Sequence, residues 1–411
     1  MTTPSLYHTL AETGAPLPSI SKLEFSDRIA KVRNSIRQRG LDGLAVYGDE
    51  YRKENLRYVS NFWPIFERGM CFIPREGAPI LAGAPEGEVY AREMCAWDDI
   101  RNVKEFACVT VPEEIEYPLA EFSSLTEIIG ETVGGGTKLG LVGMWDIPGP
   151  IMKRIEEAVD GVDIVESDDL IQDLRITKST AEIECLTESG RISSLAYEVL
   201  MEHAVPGATE LAASGAAEGA ARQAGAEDIT FVVFGSGKRT NTIIGRPTRK
   251  IIEDGDMIMA ALAVQYEGYV TTVEFPFVAG NASDEQKALL NVLFEAANVQ
   301  QNYLKGGTSA ADMVRAVKDV FKKHKMDEYD VYPPMHGIGL AEAESPYPDE
   351  HVEYVFRPGT CVNSDISLFG HPAGSNRIEE GFVITAGKPI SLTPSIRSMC
   401  ENSEWSNAQQ T

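Results

Sequence analysis

The sequence lacks the features of a secreted or membrane protein. Its six cysteines include no Cys-x-x-Cys pair, a usage typical of a reduced chain rather than a disulfide framework. No continuous apolar run reaches roughly 18 residues, the length a membrane span needs. The first residues carry no basic region followed by an apolar one. The cysteines are Cys71, Cys95, Cys108, Cys185, Cys361 and Cys400. We therefore expect a soluble, cytoplasmic protein without a membrane partner.

Basic residues are also scarce relative to acidic ones. Lys and Arg total 37 against 62 Asp and Glu, a formal net charge of −25. Such a surface repels phosphate backbones, so we expect no nucleic-acid partner. Beyond this exclusion, the acidic composition indicates no particular function, because a highly charged surface also serves to keep a protein soluble.

The length and the order of patterns predict two domains. A chain of 411 residues, 43% of them hydrophobic, is too long to fold around one ordinary hydrophobic core. Strand-like and helical patterns alternate in the first part, which favours an α/β domain. A long amphipathic helix over Ala181–His203 then ends at a Pro-Gly pair, and strands and paired helices follow. We expect an arm over 1–22, a first domain over 23–167, a second over 168–400 and a tail over 401–411, with Asp168–Lys178 as the hinge.

The candidate site residues lie in four patches of the second half. These are the stretches Gly255–Glu274, His336–Pro346, Arg357–Asp365 and Asn376–Glu380. Their order and spacing resemble the creatinase/aminopeptidase P/prolidase family, and the resemblance extends over roughly Glu24–Leu392. It implies an α+β protein, in which a creatinase-type α/β domain precedes a pita-bread domain with a curved antiparallel sheet covered by helices.

The resemblance also identifies the positions at which the family's metal ligands would stand in this sequence. In the metallopeptidase branch two Asp, one His and two Glu hold two divalent ions that activate a water molecule. The corresponding positions here are Ala261, Thr272, His336, Asp365 and Glu379. Alanine offers no lone pair and threonine only a neutral hydroxyl, so the bridging anions are missing. We expect no dinuclear metal and no other cofactor, although one ion on the remaining three side chains stays open.

The pattern is closer to creatinase, the metal-free branch of the family. In creatinase a Glu at the position of Glu274 grips the substrate guanidinium. Alternation along a strand puts Thr272 and Glu274 on one face, so both are expected to face the site. The resemblance gives catalytic roles to His336, Glu274, Asp365 and Glu379.

Other residues are predicted to bind the substrate. Glu344 and Arg377 belong to the matching patches, and His371 lies on the loop between Asp365 and Arg377. The second His of the peptidase motif is Ala343 here, which argues against a standard dipeptidase.

The first domain is expected to complete the site of a neighbouring subunit. Phe66-Glu67-Arg68 resembles a Phe-x-Arg stretch of creatinase in which the partner subunit supplies an aromatic wall and a carboxylate clamp. This implies a homodimer with shared active sites. The alternative is that Arg68 pairs with a carboxylate of its own chain.

These residues predict a metal-independent, creatinase-like hydrolase that cleaves a C–N bond of a small cationic or zwitterionic guanidine- or amidine-like substrate. Three alternatives stay open. They are a lyase on a small zwitterion, an Xaa-Pro dipeptidase or aminopeptidase with an atypical metal site, and a non-catalytic binding module with the same fold.

Overall fold

The computed structural model describes residues 17–107 and 120–402. Cys108, residues 1–16 of the expected arm and residues 403–411 of the expected tail therefore lie outside the described residues. The chain divides into two units, one of Ile20–Arg175 and one of Ile176–Thr411 with Met1–Ser19. The segment predicted as the hinge is helical from Asp168 to Ile176, because its Leu170 and Ile171 are buried on one side of a helix.

Twelve α-helices are described, and several begin at residues that cap them. Ser179 accepts a hydrogen bond from Glu182 N while the Glu182 side chain accepts one from Ser179 N, a reciprocal capping box. The helices are α1 Lys22–Gln38, α2 Glu54–Ser60, α3 Glu88–Met94, α4 Lys104–Ala107, α5 Leu125–Val133, α6 Gly149–Ala158, α7 Asp168–Ile176, α8 Thr180–His203, α9 Glu210–Gln223, α10 Asp284–Gln301, α11 Ala310–Lys323 and α12 Pro394–Asn402.

Fourteen strands are described, and most of the central ones are buried throughout. The strands are β1 Gly43–Asp49, β2 Arg68–Pro74, β3 Ile80–Gly83, β4 Asp99–Asn102, β5 Lys138–Val142, β6 Asp163–Glu166, β7 Asp228–Ser236, β8 Asp256–Tyr266, β9 Tyr269–Val273, β10 Phe277–Ala279, β11 Met335–Gly337, β12 Cys361–Leu368, β13 Asn376–Val383 and β14 Ile390–Ser391.

The first unit is built on one six-stranded mixed sheet. Its strand order is β4-β3-β2-β1-β5-β6, with β1 antiparallel to β2 and parallel to β5. Apolar side chains from β1, β2 and β5 pack with helices α5 and α6 to form the core. The strand–helix alternation expected from the sequence is confirmed.

The second unit contains two four-stranded antiparallel sheets. One has the order β10-β8-β7 with β9 on the other side of β8, and the other has the order β11-β12-β13-β14. A backbone bridge between Glu274 and Glu379 joins them, with Glu274 N 3.2 Å from Glu379 O and Glu379 N 3.0 Å from Glu274 O. The candidate site therefore lies at the seam where two sheets meet.

Helix α8 packs over this seam and holds its strands. Ser189 Oγ donates to Val264 O at 2.8 Å and accepts from Thr271 N at 2.9 Å. The buried Tyr197 hydroxyl donates to Phe275 O at 2.9 Å. A Cβ at Gly190 would lie 2.1 Å from Leu392 O, so this close approach requires glycine.

Candidate active site

A single guanidinium lies among three buried carboxylates. Arg377 Nε is 2.7 Å from Glu274 Oε2 and 2.8 Å from Glu379 Oε1, and Arg377 Nη1 is 3.9 Å from Asp365 Oδ2. Strand geometry produces the cluster, since Arg377 and Glu379 are two residues apart on β13 and Asp365 is the direct partner of Glu379 on β12. Arg377 thus supplies the positive charge that offsets the three carboxylates.

The carboxylates remain only partly compensated. Burial raises the pKa of Glu274 to about 8, although Arg377 acts to lower it. Burial likewise raises the pKa of Asp365 to about 7, again against Arg377. Glu274 Oε1 and Asp365 Oδ1 have no hydrogen-bond partner within the described part of the chain. Burial lowers the pKa of Arg377, but Glu379, Glu274 and Asp365 raise it well above its ordinary value.

His336 and Glu342 form a second charged pair beside this cluster. His336 Nε2 lies 3.6 Å from Glu342 Oε1, and His336 Nδ1 donates to Gly337 O at 3.0 Å. Thr272 Oγ1 donates to Glu342 Oε1 at 3.1 Å. Burial lowers the pKa of His336, but Glu342 and Gly337 O outweigh it and the net shift is upward. Burial raises the pKa of Glu342 despite His336.

A cavity of about 820 Å³ opens onto these groups. Its charged wall contains His336, Glu342, Asp365, Arg377 and Glu379. The volume lies in the range of sites that hold small organic ligands. The pocket is confined to the second unit, where its lining residues come from α9, β7, β11, β12, β13 and the loops between them.

Glu342 is the site residue that sequence reasoning missed. It lies in the same patch as His336, six positions later, and the presence of an acid there was the available signal. The contact depends on how the loop after β11 folds back, which Gly337 and Glu344 fix by a backbone bridge. The spacing of residues in the sequence does not predict that a loop folds back in this way.

Three predicted site residues of the second unit are not part of the described cavity wall. Glu274 is fully buried behind Arg377 and therefore does not face the cavity as expected. Glu344 pairs with the buried Lys178 at 2.7 Å, because a carboxylate this enclosed needs a cation. His371 packs edge-on against Tyr329 at 4.8 Å and its Nδ1 accepts from Ala373 N at 3.1 Å, so its own loop engages it.

Phe66 and Arg68 belong to the first unit. Phe66 is exposed, while Arg68 interacts with the hydroxyl of Tyr47 and stands opposite Asp49 in the β1–β2 register. Arg68 thus has polar partners within its own unit. Its role as a clamp across subunits stays a prediction.

The side chains present do not fit a dinuclear metal centre. Ala261 is packed in an apolar cluster with Val233, Met259 and Phe369, and Thr272 donates its hydroxyl hydrogen to Glu342. The guanidinium of Arg377 already takes up oxygens of Glu274 and Glu379. Among the described residues, no group of three or more His, Cys, Asp or Glu side chains is arranged to hold a metal ion.

Two family descriptions match consecutive parts of the sequence. The creatinase/prolidase N-terminal domain matches residues 28–177, and metallopeptidase family M24 matches residues 184–386. The chain belongs to the creatinase/M24 family. This agrees with the α+β architecture of a creatinase-type domain followed by a pita-bread domain, which is confirmed.

Individual relatives are peptidases by their descriptions. The chain is 25% identical over 288 residues to an Xaa-Pro dipeptidase of Pyrococcus furiosus, covering 70% of this chain and 82% of that protein. It is 23% identical over 375 residues to YqhT of Bacillus subtilis, described as an uncharacterized peptidase, covering 90% and 99%. A solved prolidase structure from Pyrococcus horikoshii OT3 has a TM-score of 0.77 at 22% identity, covering 89% of this chain and 98% of that one.

These findings correct the function expected from the sequence. The reading as a metal-independent, creatinase-like hydrolase of guanidine- or amidine-like compounds is wrong, because these relatives are dipeptidases and prolidases. The assignment to the metal-free branch falls with it. The structure shows why the expectation failed, since Glu274, the carboxylate assigned to the substrate guanidinium, is already bound to Arg377.

No described helix is long and apolar enough to cross a membrane.

Proposed function

We propose that this chain is a peptidase-type hydrolase that cleaves the C–N amide bond of a short peptide in the cavity beside His336. The observation that carries the proposal is the pairing of His336 Nε2 with Glu342 Oε1 at 3.6 Å on the wall of that cavity. The similarity to dipeptidases over most of the chain supports the substrate class.

The charge around the cavity suits a peptide with a free amino terminus. Four carboxylates, those of Glu274, Glu342, Asp365 and Glu379, surround one guanidinium. A buried excess of negative charge is costly, and a cationic group of the ligand reduces that cost. Asp365 Oδ1, buried on the cavity wall with no hydrogen-bond partner among the described side chains, is positioned to hydrogen-bond the amide group of such a peptide.

The proposed reaction uses residues of this chain. The Glu342–His336 pair takes a proton from water as the water oxygen attacks the peptide carbonyl carbon. The positive charge of Arg377 stabilises the oxyanion that forms. The carboxyl group of Asp365 donates a proton to the amide nitrogen as the C–N bond breaks, releasing a carboxylic acid and an amine. Neighbouring carboxyl groups that cannot all ionise together are suited to divide the roles of acid and base. Because a dinuclear centre does not fit, no step is assigned to a metal.

The test is the release of amino acids from a panel of di- and tripeptides, followed by mass spectrometry. The assays are run with a chelator and, separately, with added Mn²⁺ or Zn²⁺. We expect hydrolysis by the wild type and its loss in His336→Asn and Glu342→Gln. His203→Asn is the matched control, since His203 is exposed at the end of α8, where its Nδ1 donates to Val199 O. A folded protein that hydrolyses no peptide under either condition contradicts the proposal.

A homodimer with shared sites remains part of the proposal. Phe66 and Arg68 of one chain would serve the cavity of the other, with Arg68 binding the substrate carboxylate. If so, mixing inactive Arg68→Ala and His336→Ala proteins restores about a quarter of wild-type activity, since about half of randomly mixed dimers are hybrids with one intact site. Absence of recovery after verified subunit exchange rejects the shared site without affecting the proposed reaction.

A further inference from the structure

The loop after β11 (the return loop, residues 338–345) carries Glu342 in its middle. Its two ends are joined by backbone hydrogen bonds. Gly337 N donates to Pro346 O at 2.8 Å, and Glu344 N donates to Gly337 O at 2.9 Å. These bonds close the loop, but the position of Glu342 depends on further contacts.

The side chain of Glu344 supplies two of these contacts. Its Oε2 accepts a hydrogen bond from Ala341 N at 3.3 Å, and its Oε1 accepts one from Lys178 Nζ at 2.7 Å. The first contact spans the turn on which Glu342 stands. Gly339 packs directly on the ion pair, since a Cβ there would lie 2.5 Å from Glu344 Oε1. One carboxylate therefore ties the turn that bears Glu342 to a cation.

The cation is held by a part of the fold outside the return loop. Lys178 N donates to Gly359 O at 2.9 Å, and the next residue, Ser179, caps helix α8. The side chain of Lys178 is only 1% exposed. A buried ammonium without an anion is costly, so the loop is stabilised in the conformation that brings Glu344 to Lys178.

The effect of this anchoring is felt two positions away, at Glu342. Its Oε1 lies 3.6 Å from His336 Nε2 and 3.1 Å from Thr272 Oγ1. Neither Lys178 nor Glu344 belongs to the cavity wall. Any influence of this ion pair on a ligand in the cavity therefore passes through the return loop.

We propose that Lys178 and Glu344 are positioning residues, whose ion pair holds the return loop so that the carboxylate of Glu342 stays beside His336. The inference rests on the proposed peptidase function and adds to it two residues that do not touch the substrate. Misplacing a proton-transfer group slows the chemical step, while the groups that bind the substrate stay in place. Loss of the ion pair therefore lowers kcat and leaves KM nearly unchanged.

The isosteric change Glu344→Gln tests the inference. Both carboxylate oxygens of Glu344 accept hydrogen bonds, whereas a carboxamide has a single acceptor oxygen and can keep only one of the two contacts. In a crystal structure of this variant we expect Glu342 Oε1 to move away from His336 Nε2 by about 1 Å or more. For a dipeptide that the wild type hydrolyses, kcat should fall about tenfold to a hundredfold with little change in KM.

A second variant and a matched control accompany this change. Lys178→Met removes the cation and should lower kcat in the same way. If its folding is impaired, Glu344→Gln, which keeps the shape of the side chain, decides. Glu380→Gln is the control, because Glu380 is a buried carboxylate outside the cavity wall that pairs with Arg397 at 2.9 Å. It should lower the urea midpoint while leaving kcat unchanged.

The outcomes separate this inference from the proposed function. An unmoved Glu342 or a wild-type kcat in Glu344→Gln overturns the positioning role. A raised KM with unchanged kcat, or an equal loss of kcat in Glu380→Gln, also overturns it and leaves the peptidase function intact. A displaced Glu342 in the crystal structure of a protein that hydrolyses no peptide supports the positioning by Glu344 and rejects the hydrolysis.

Discussion

Glu274 and Arg377, 103 residues apart in the chain, form a buried ion pair in which Arg377 Nε lies 2.7 Å from Glu274 Oε2. The same nitrogen lies 2.8 Å from Glu379 Oε1, and the backbones of Glu274 and Glu379 pair with each other. One guanidinium therefore offsets the charge of the two carboxylates whose backbones join the two sheets of the second unit.

Replacing Arg377 with methionine is expected to destabilise the second unit by about 3–5 kcal/mol, because buried carboxylates lose their counter-ion. Urea denaturation followed by circular dichroism measures the loss. Arg315→Met is the control, since Arg315 pairs with Asp312 on the exposed face of α11, where such a pair contributes less than about 1 kcal/mol. A loss for Arg377→Met no larger than that of the control contradicts the role given to Arg377.

Neutralising Glu274 is expected to offset part of that loss. In the double variant Glu274→Gln/Arg377→Met, one of the unpaired carboxylates is removed together with the guanidinium, so the destabilisation should be smaller than the sum of the single changes by about 1–3 kcal/mol. The same denaturation experiments on all four proteins close the cycle. Strict additivity rejects a direct interaction.

Glu342→Gln is expected to lower kcat by about a hundredfold to ten-thousandfold with little change in KM, since a proton-transfer group is lost while the cavity keeps its shape. The position of Glu342 depends on the hydroxyl of Thr272. Thr272→Val should therefore lower kcat by a smaller factor, and Thr272→Ser, which keeps the hydroxyl, should retain activity. Equal kcat values for the Val and Ser variants would exclude this positioning role.

Divalent metal binding should depend on carboxylates that this chain lacks. We expect calorimetry with Mn²⁺ or Zn²⁺ to detect no two-ion site in the wild type, and a chelator to leave the melting temperature unchanged. In Ala261→Asp/Thr272→Asp, two oxygen donors return to the bridging positions, and divalent binding should strengthen. Two tightly bound ions per wild-type chain would contradict the interpretation that Ala261 and Thr272 leave the site without its bridging ligands.

Glu67 is expected to make the first unit less stable as the pH rises. Burial raises its pKa to about 7, with Glu86 adding to the shift and a hydrogen bond from Gly87 N opposing it. A raised folded-state pKa contributes stability that is complete below the ordinary value of 4.5 and is lost as the pH passes 7.

The neutral isostere makes this pH effect measurable. Glu67→Gln should match the wild type at low pH and exceed it by about 1–3 kcal/mol at pH 8. Thermal melts between pH 4.5 and 8 provide the comparison, with Glu86→Gln as the control for a nearby charge. A constant difference across that range would show that Glu67 does not titrate as its burial implies.

Local patterns in the sequence were sufficient for much of the fold. The apolar period over Ala181–His203 predicts α8, because amphipathicity is a local property, and the structure shows a capping box of Ser179 and Glu182 at its start. The absence of bridging carboxylates at Ala261 and Thr272 also follows from the sequence alone, given the family resemblance, since a missing donor is missing in any conformation.

Only the tertiary structure determines which acidic residues line the cavity and which form the buried ion pairs that stabilise the fold. Glu274 and Glu344 look like site residues in the sequence, yet each is matched to a buried cation, Arg377 and Lys178, from a distant segment. Glu342 was not among the predicted site residues, yet its carboxylate lies beside His336. The protonation state and the partners of a buried carboxylate depend on the charges around it. Strand register and the folding back of loops bring those charges together, so neighbours in the sequence do not predict them.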